Sequence, residues 1–587
     1  MSCEEFNQIP HLLVDYVEKW ANEKPDAIAI IDADDGKFIT WKQFNNMVDL
    51  IALELMEMGF QKGDICITML PLLPEHIFFE YACFKLGMIV CPLDVRLKEE
   101  EVVRSVELLR SARRILYLHP DDTDAEDKWG RKKFYAFKQF ARAVRRNIPE
   151  VRDFIQFGPE EDADEGTIGL LVFLKKARSH YKNYLKDPSV LKEKMNELNK
   201  RKNSVDPFKD GCMIIYTTGS TGFPKPAVLS NAGIICQNMC MAKAFKFNSN
   251  DRMLVNLPPS HVGCQTEQLM TTIYAGGISV ILHAFKAEKT LQAIEKYKVT
   301  VLGQIPSLFV MEWRLKRKYG AFKDYEEYDL SSLRFAIYGG QAVSREFLEK
   351  LKTMAPYFGT GLGLTELSGF VSYTPLKEDL TVDEVLDNVG YDFPITPLSI
   401  REIMREDGYA GAEKPIGEIG EVCYSGPQVF LGYYKNEEAT RKTISKDGIC
   451  YTGDLGFKDA KGNLHLVGRS KFVIKPKGYQ VYPPEVEEYI MKLPEVSLAA
   501  VIGYPHEVFT EGVVAFIEPK KGKKITVQQL EEHCKGLAAY KRPSLFIIVD
   551  EIPLNRVDKT DYQELKKMVV PYIEKERAAG RWDAEKK

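Results

Sequence analysis

The stretch Thr217-Thr218-Gly219-Ser220-Thr221-Gly222-Phe223-Pro224-Lys225 has the composition of a loop that holds phosphate. It follows the apolar strand end Ile214-Ile215-Tyr216. Two glycines let the backbone turn tightly, and small neighbours keep it accessible. Its amides and hydroxyls suit triphosphate oxygens, and Lys225 balances their charge. It is not a Walker loop, which needs Gly-Lys-Ser/Thr; here Pro224 precedes Lys225. By composition alone, a solvent loop between a strand and a helix explains the same residues.

The elements around such a loop can be read from periodicity. Residues 11–24 read as an amphipathic helix. Thr40-Trp41-Lys42-Gln43 fits a capping box, opening a helix that runs to Met58 and is closed by Gly59 and Gly63. Residues 65–70 read as a strand, 74–86 as a helix and 89–93 as a strand. This alternation predicts an α/β fold with a largely parallel sheet. Residues 119–165 are dense in charge. Residues 175–204 carry many lysines, with Tyr184, Leu185, Leu191, Met195 and Leu198 at helical spacing. Charge runs are usually solvated faces, so a surface helix and connector are expected there, with a nucleic-acid role the minor alternative. From Gly211 to about Gly468 strands and loops alternate again. The last stretch, 470–587, offers short apolar strands at 473–474, 498–501, 513–517 and 545–549 and two helical patterns, the content of a small α+β domain. The expected division is a large region of layered α/β subdomains over 1–469 and a small domain over 470–587.

A chain of 587 residues exceeds one core. Its net charge of −4 gives no global attraction to nucleic acid. The opening residues MSCEEFNQIPH carry acid and no apolar core, so no secretory signal is read. The longest apolar runs, such as 168–174 and 277–282, fall far short of the roughly 20 residues that span a bilayer. A cytoplasmic protein without a membrane span is expected. The 11 cysteines are scattered; Cys236 and Cys240 are the closest pair, and no Cys/His pair follows at metal-ligand spacing. Reduced, buried thiols are the expected state.

The string Thr218-Gly219-Ser220-Thr221-Gly222-Phe223-Pro224-Lys225 closely resembles the phosphate loop of the adenylate-forming enzymes. That superfamily includes acyl-CoA and aryl-CoA synthetases, nonribosomal-peptide adenylation domains and luciferases. Pro226 stands where its last loop glycine is usual. Further segments resemble the family's motifs in order, over nearly the whole chain. Pro258-Pro259-Ser260-His261-Val262-Gly263 is similar to the segment where the acyl pocket begins, with His261 as a wall; a loop histidine with a satisfied ring is the alternative. Amino-acid-activating members carry an aspartate near here, and this stretch has none, so an α-amino acid is not expected. Ala336-Ile337-Tyr338-Gly339-Gly340-Gln341-Ala342 resembles the adenine-side turn. Gly359-Thr360-Gly361-Leu362-Gly363-Leu364-Thr365-Glu366 resembles the next signature; it implies Thr365 at the α-phosphate and Glu366 as the Mg²⁺ ligand. Leu362 occupies a place where a tyrosine often stacks on adenine.

The later motifs match too. Gly417-Glu418-Ile419-Gly420-Glu421-Val422 and Gly432-Tyr433-Tyr434 fit the following element. Tyr451-Thr452-Gly453-Asp454 implies Asp454 as acceptor for the ribose hydroxyls. Gly468-Arg469-Ser470-Lys471 resembles the domain hinge, with Arg469 reaching the nucleotide and Lys471 the pivot. The run from Lys475 through Lys477, Gly478 and Tyr479 to Glu487 resembles the segment that enters the site after the swing and lines the pantetheine tunnel. Lys559 aligns with the catalytic lysine of adenylation, with Asp558 in place of the usual glycine.

The resemblance implies a free-standing, AMP-forming acid–CoA ligase with a mobile C-terminal domain. ATP, Mg²⁺ and coenzyme A are its expected cofactors and co-substrates. The pocket stretches 261–268, 336–341 and 362–370 are mainly small, apolar or neutral, which suits an aromatic, alicyclic or medium-chain acid. Its expected partners are that small-molecule carboxylic acid, ATP and coenzyme A. No nucleic acid is expected, and a homodimer is left open. The rival readings are loading of the acid onto a separate carrier protein, luciferase-type oxidation of the adenylate, and an inactive nucleotide-binding scaffold.

Overall fold

The computed structural model describes residues 3–110, 112–118, 137–157, 165–217, 224–316, 323–476, 479–508, 510–554 and 560–583. Thr218, Gly219, Ser220, Thr221, Gly222, Lys477, Gly478, Lys559 and most of the charge-dense stretch 119–165 lie outside the described residues. The fold is α/β with mostly parallel sheets and a small C-terminal α+β region. The described residues form two compact units. The first takes its residues from 1–217, 225–397 and 425–444, the second from 218–224, 398–424 and 445–587.

The first unit holds two large sheets. One has seven strands, in the spatial order Tyr357–Gly359, Phe335–Tyr338, Val301–Gln304, Arg252–Val255, Ile278–Ile281, Ile28–Asp32, Lys37–Thr40. All its pairs are parallel except the hairpin that adds the last strand. The other has eight strands with a parallel centre, where Ile65–Met69 lies between Ile89–Pro92 and Ala112–Leu118. At one edge Gly211–Tyr216, Pro226–Ser230 and Gly432–Tyr433 pair antiparallel. The central parallel strands are mostly apolar and buried, as coverage of both faces requires.

Local signals set many boundaries. The helix Trp41–Glu57 starts at the expected box: Gln43 N donates to Thr40 Oγ1 at 3.2 Å, and Thr40 N to Gln43 Oε1 at 2.9 Å. The helix Pro74–Lys85 is buried on every side, with its proline in the first turn where no amide is needed. The lysine-rich run forms two helices, Leu170–Lys186 and Pro188–Asn203. Lys202 pairs with Asp15 and Glu18, and Lys194 with Glu57, so these cations tie the run to its own unit. Ten of the eleven cysteines are buried and all are free; Cys3 is exposed. No helix among the described residues is long and apolar enough to cross a membrane.

The second unit has a four-stranded antiparallel sheet, Leu398–Arg401, Gly420–Tyr424, Cys450–Lys458 and Leu464–Arg469. It also has a three-stranded sheet in which Thr510–Pro519 lies between Val496–His506 and Leu545–Ile548. Alternate residues of that middle strand enter two cores: Val513, Ala515 and Ile517 on one face, Val514 and Phe516 on the other. Two sequence expectations change here. Residues 473–474 form no strand; Ile474 makes only an isolated bridge to Val481. Among the described residues four α-helices replace the two patterns: Pro483–Met491, Val527–Cys534, Tyr562–Met568 and Val570–Ala578. Each is seven to nine residues long, too short for a helical period to stand out in the sequence.

Candidate active site

Three parallel strands deliver the first group of residues. Val301–Gln304, Phe335–Tyr338 and Tyr357–Gly359 run in register, Gln304 beside Tyr338 and Ile337 beside Gly359. Their carboxyl ends set Gly339-Gly340-Gln341 alongside Thr360-Gly361-Leu362, at the edge where open parallel sheets bind ligands. Gly339 N donates to Gln304 O at 3.2 Å, and Thr360 Oγ1 to Tyr338 O at 2.8 Å. Gly340 takes a left-handed φ of 92°. Phe370 underlies both turns: a Cβ on Gly339 would come 3.0 Å from its ring. On Gly361 a Cβ would come 2.7 Å from the ring and 2.0 Å from Ser372 O. Only glycine fits there. Leu362 is half-buried and Gln341 exposed.

The chain then makes a short hairpin. Gly363–Leu364 pairs with Gly369–Phe370, and the turn Thr365–Leu367 forms its tip. Thr365 is buried and Glu366 half-buried. Tyr433 Oη donates to Glu366 Oε1 at 2.6 Å, and Phe430 N to Glu366 O at 3.0 Å. Tyr433 lies on the strand that pairs with Pro226–Ser230, opposite Ala227. It therefore stands beside the start of the strand that follows the glycine-rich motif. Lys225 Nζ sits 4.9 Å from the centroid of the Tyr433 ring, a cation–π contact. Thr217 and Lys225 are clasped together: Thr217 N donates to Lys225 O at 2.9 Å, and Lys225 N to Thr217 Oγ1 at 3.3 Å. Pro226 opens its strand, a position that tolerates proline, and its carbonyl accepts from Tyr434 N at 2.8 Å.

Lys225, Tyr433 and Glu366 thus form one chain of contacts. The hydroxyl engages one carboxylate oxygen. Among the described residues the other accepts nothing, which suits a hard cation such as Mg²⁺. Tyr433 was missed in the sequence as a site residue; its only signal was its place in Gly432-Tyr433-Tyr434.

His261, half-buried, opens an unusual element. Its carbonyl accepts from Cys264 N and Gln265 N, at the start of the π-helix Gly263–Met270. Such wide turns cost backbone geometry and cluster at functional sites. Side chains clamp this one. Gln265 Nε2 donates to Glu80 Oε1 at 2.7 Å, Gln268 Nε2 to Gly303 O at 2.6 Å, and Asn238 Nδ2 to Thr266 O at 2.7 Å. His76 Nε2 lies 3.3 Å from the same Glu80 oxygen. Burial pushes Glu80 up to about 8 and His76 down to about 4, so this contact is neutral rather than an ion pair.

In the second unit, Asp454 and Arg469 face each other across neighbouring strands, with Nε–Oδ1 2.7 Å. Gly453, at φ 75°, donates its amide to Glu421 Oε1 at 3.2 Å; burial first, then the nearby Asp454, raises the Glu421 carboxyl. Ser470 Oγ donates to Gly453 O at 3.2 Å. Lys471 is exposed, its Nζ 5.0 Å from the Phe472 ring centroid. Lys475 N donates to Glu511 Oε2 at 2.6 Å, and the exposed Tyr479 stacks on Tyr540 at 4.7 Å. The sequence-predicted residues therefore fall into two groups, one in each unit.

The chain is similar to known proteins over most of its length. Residues 17–434 match the family model of the AMP-binding enzyme, and residues 485–559 that of the AMP-binding enzyme C-terminal domain. A putative acyl-CoA synthetase, YngI of Bacillus subtilis (strain 168), is 27% identical over 561 residues, covering 94% of this chain and 96% of that protein. The 4-coumarate–CoA ligase CCL1 of Humulus lupulus is 26% identical over 543 residues, 90% of this chain and 89% of its own. Among solved structures, ATP-bound MatB from Rhodopseudomonas palustris shares the fold, with a TM-score of 0.75 at 22% identity over 96% of this chain and 99% of that one. Since the first of these models spans well over half of the sequence, the chain belongs to the AMP-binding enzyme family.

Proposed function

We propose that this protein is an AMP-forming acid–CoA ligase. It activates a largely apolar carboxylic acid with ATP, then passes the acyl group to coenzyme A. The observation that carries this reading is the Lys225–Tyr433–Glu366 chain of contacts, with Thr217 clasped to Lys225. Relatives named as acyl-CoA synthetases and CoA ligases support it.

In the first step a carboxylate oxygen of the acid attacks the α-phosphorus of ATP. The bond from that phosphorus to the bridging oxygen breaks, and pyrophosphate leaves. The amides and hydroxyls of 217–222, with Lys225, hold the phosphates; Thr365 donates to the α-phosphate; Lys559 bridges it and the attacking carboxylate. When bound, Mg²⁺ on Glu366 neutralises phosphate charge. Asp454 and Arg469 hold the ribose. Such catalysis is mostly positioning and electrostatic stabilisation. In the second step the coenzyme A thiolate attacks the adenylate carbonyl, its bond to AMP breaks and AMP leaves. A rotation of the C-terminal domain about Lys471 exchanges Lys559 for the segment of Lys475, Gly478 and Tyr479 between the steps.

Acid-dependent exchange of pyrophosphate into ATP tests the first step, and AMP release with coenzyme A against carrier proteins tests the second. No exchange with any acid sinks the reading. Exchange with transfer only to a carrier replaces the acceptor.

A further inference from the structure

The hairpin that carries Thr365 and Glu366 is too small to hold its own shape. Its arms are the residue pairs Gly363–Leu364 and Gly369–Phe370. An isolated two-stranded hairpin is marginal in water even when longer. Its return is also bent. Ser368 sits at φ 60° and Gly369 at φ 121°. A left-handed backbone is disfavoured for any residue with a side chain, so Ser368 needs support from outside the hairpin.

One residue brackets the bend. Gln428 is wholly buried, and its Nε2 donates to Leu367 O at 2.8 Å and to Phe370 O at 2.5 Å. Those carbonyls flank Ser368 and Gly369. Ser368 Oγ returns a bond to Gln428 O at 3.2 Å. The same segment then reaches the tip, with Phe430 N on Glu366 O and the Tyr433 hydroxyl on Glu366 Oε1. A Cβ on Gly233 would come 3.0 Å from Pro427 O and 3.3 Å from Ser368 Oγ, so the buried helix Asn231–Ala244 packs against both partners. The contact needs two hydrogens on one nitrogen, which a glutamine amide supplies. A carboxylate there would set oxygen against two carbonyls. A thioether of the same length would donate nothing, and a buried carbonyl stripped of its donor costs more than the bond had contributed.

Resting on the reading of Glu366 as the Mg²⁺ ligand, we propose that Gln428 is a positioning residue of the nucleotide site. Through Leu367, Ser368 and Phe370 it fixes the hairpin, so that the second oxygen of Glu366 is set for Mg²⁺ before the ion arrives. A ligand group already held in place loses little freedom on binding, and the affinity for the ion is higher for it. Gln428 itself touches neither nucleotide nor metal in this account; it acts through Glu366.

The test titrates the full chain with a non-hydrolysable ATP analogue by calorimetry, with Mg²⁺ and with a chelator. The ratio of the two Kd values is the gain that Mg²⁺ brings. Gln428→Met keeps the side-chain length and removes both donors. It should shrink that gain at least about tenfold, while the Kd without Mg²⁺ stays within about threefold. Acid-dependent pyrophosphate exchange should then need correspondingly more Mg²⁺ to reach half its maximal rate. Ser368→Ala removes only the returning hydroxyl and should move the gain the same way by less; it carries the test if Gln428→Met does not fold. The proposal is overturned if both Kd values worsen together, or if the gain is unmoved in both variants while Tm falls, since Gln428 then serves the fold alone. A wild type in which Mg²⁺ brings no gain removes the assignment of Glu366 and this inference together. A wild type with the gain but no exchange with any acid removes the ligase reading alone.

Discussion

The Tyr433 hydroxyl donates to Glu366 Oε1 at 2.6 Å across 67 residues of sequence, while the Tyr433 ring carries the Lys225 ammonium. Tyr433→Phe keeps the ring and removes the oxygen alone. A hydrogen bond to a charged group is worth about 1.5–3 kcal/mol, so the KM for Mg·ATP should rise at least about tenfold. Steady-state kinetics with ATP varied, beside a thermal melt, check this. An unchanged KM would remove Tyr433 from the site.

Asp454 is nearly buried, but Arg469 is 44% exposed, so their pair contributes to stability about as a surface pair does, ~1 kcal/mol or less. Arg469→Ala should therefore lower Tm slightly and weaken ATP binding more. Titration with ATP next to a thermal melt separates the two effects. A large Tm loss with unaltered affinity would make the pair structural.

Lys559→Ala should abolish adenylate formation from acid and ATP, yet largely spare thioester formation from a preformed adenylate. Equal loss in both half-reactions contradicts a lysine used in only one. Lys471→Pro should damage one half-reaction more than the other, because proline fixes the backbone torsion on which a rotation depends. Single-turnover assays of each half-reaction decide both cases.

Burial holds Glu80 and Glu312 protonated up to about 8, against an ordinary 4.5. Between those values the unfolded chain has released protons that the folded chain keeps. These two groups therefore make stability fall as pH rises through that window. Glu80→Gln and Glu312→Gln should each flatten the fall and gain most, relative to wild type, at its alkaline end. Urea midpoints at acid, neutral and mildly alkaline pH measure it; parallel wild-type and variant curves would show that the carboxyls are ionised in the fold.

Much of this was legible wherever the cause is local. Thr40 and Gln43 lie three residues apart and satisfy each other's backbone, so the sequence shows the helix start. The apolar run at 65–70 and the proline-led helix at 74 likewise stand out, and the resemblance marked Thr365, Glu366, Asp454 and Arg469 in order along the chain. The short helices after residue 480 did not stand out, because seven to nine residues hold too few turns to show a period.

By itself the sequence determined the α/β class and the order of the motifs, since caps and spacing are properties of neighbours in the chain; the resemblance of those motifs to the adenylate-forming enzymes pointed to the family. Only the tertiary structure decided which atoms meet. It set the Tyr433 hydroxyl on Glu366, made Gly361 obligatory beneath Ser372, and brought the Gln428 amide to Leu367 and Phe370. Each of these depends on segments that are distant in sequence and adjacent only after packing. Burial then sets whether a carboxyl such as Glu80 holds its proton, which no residue type states alone.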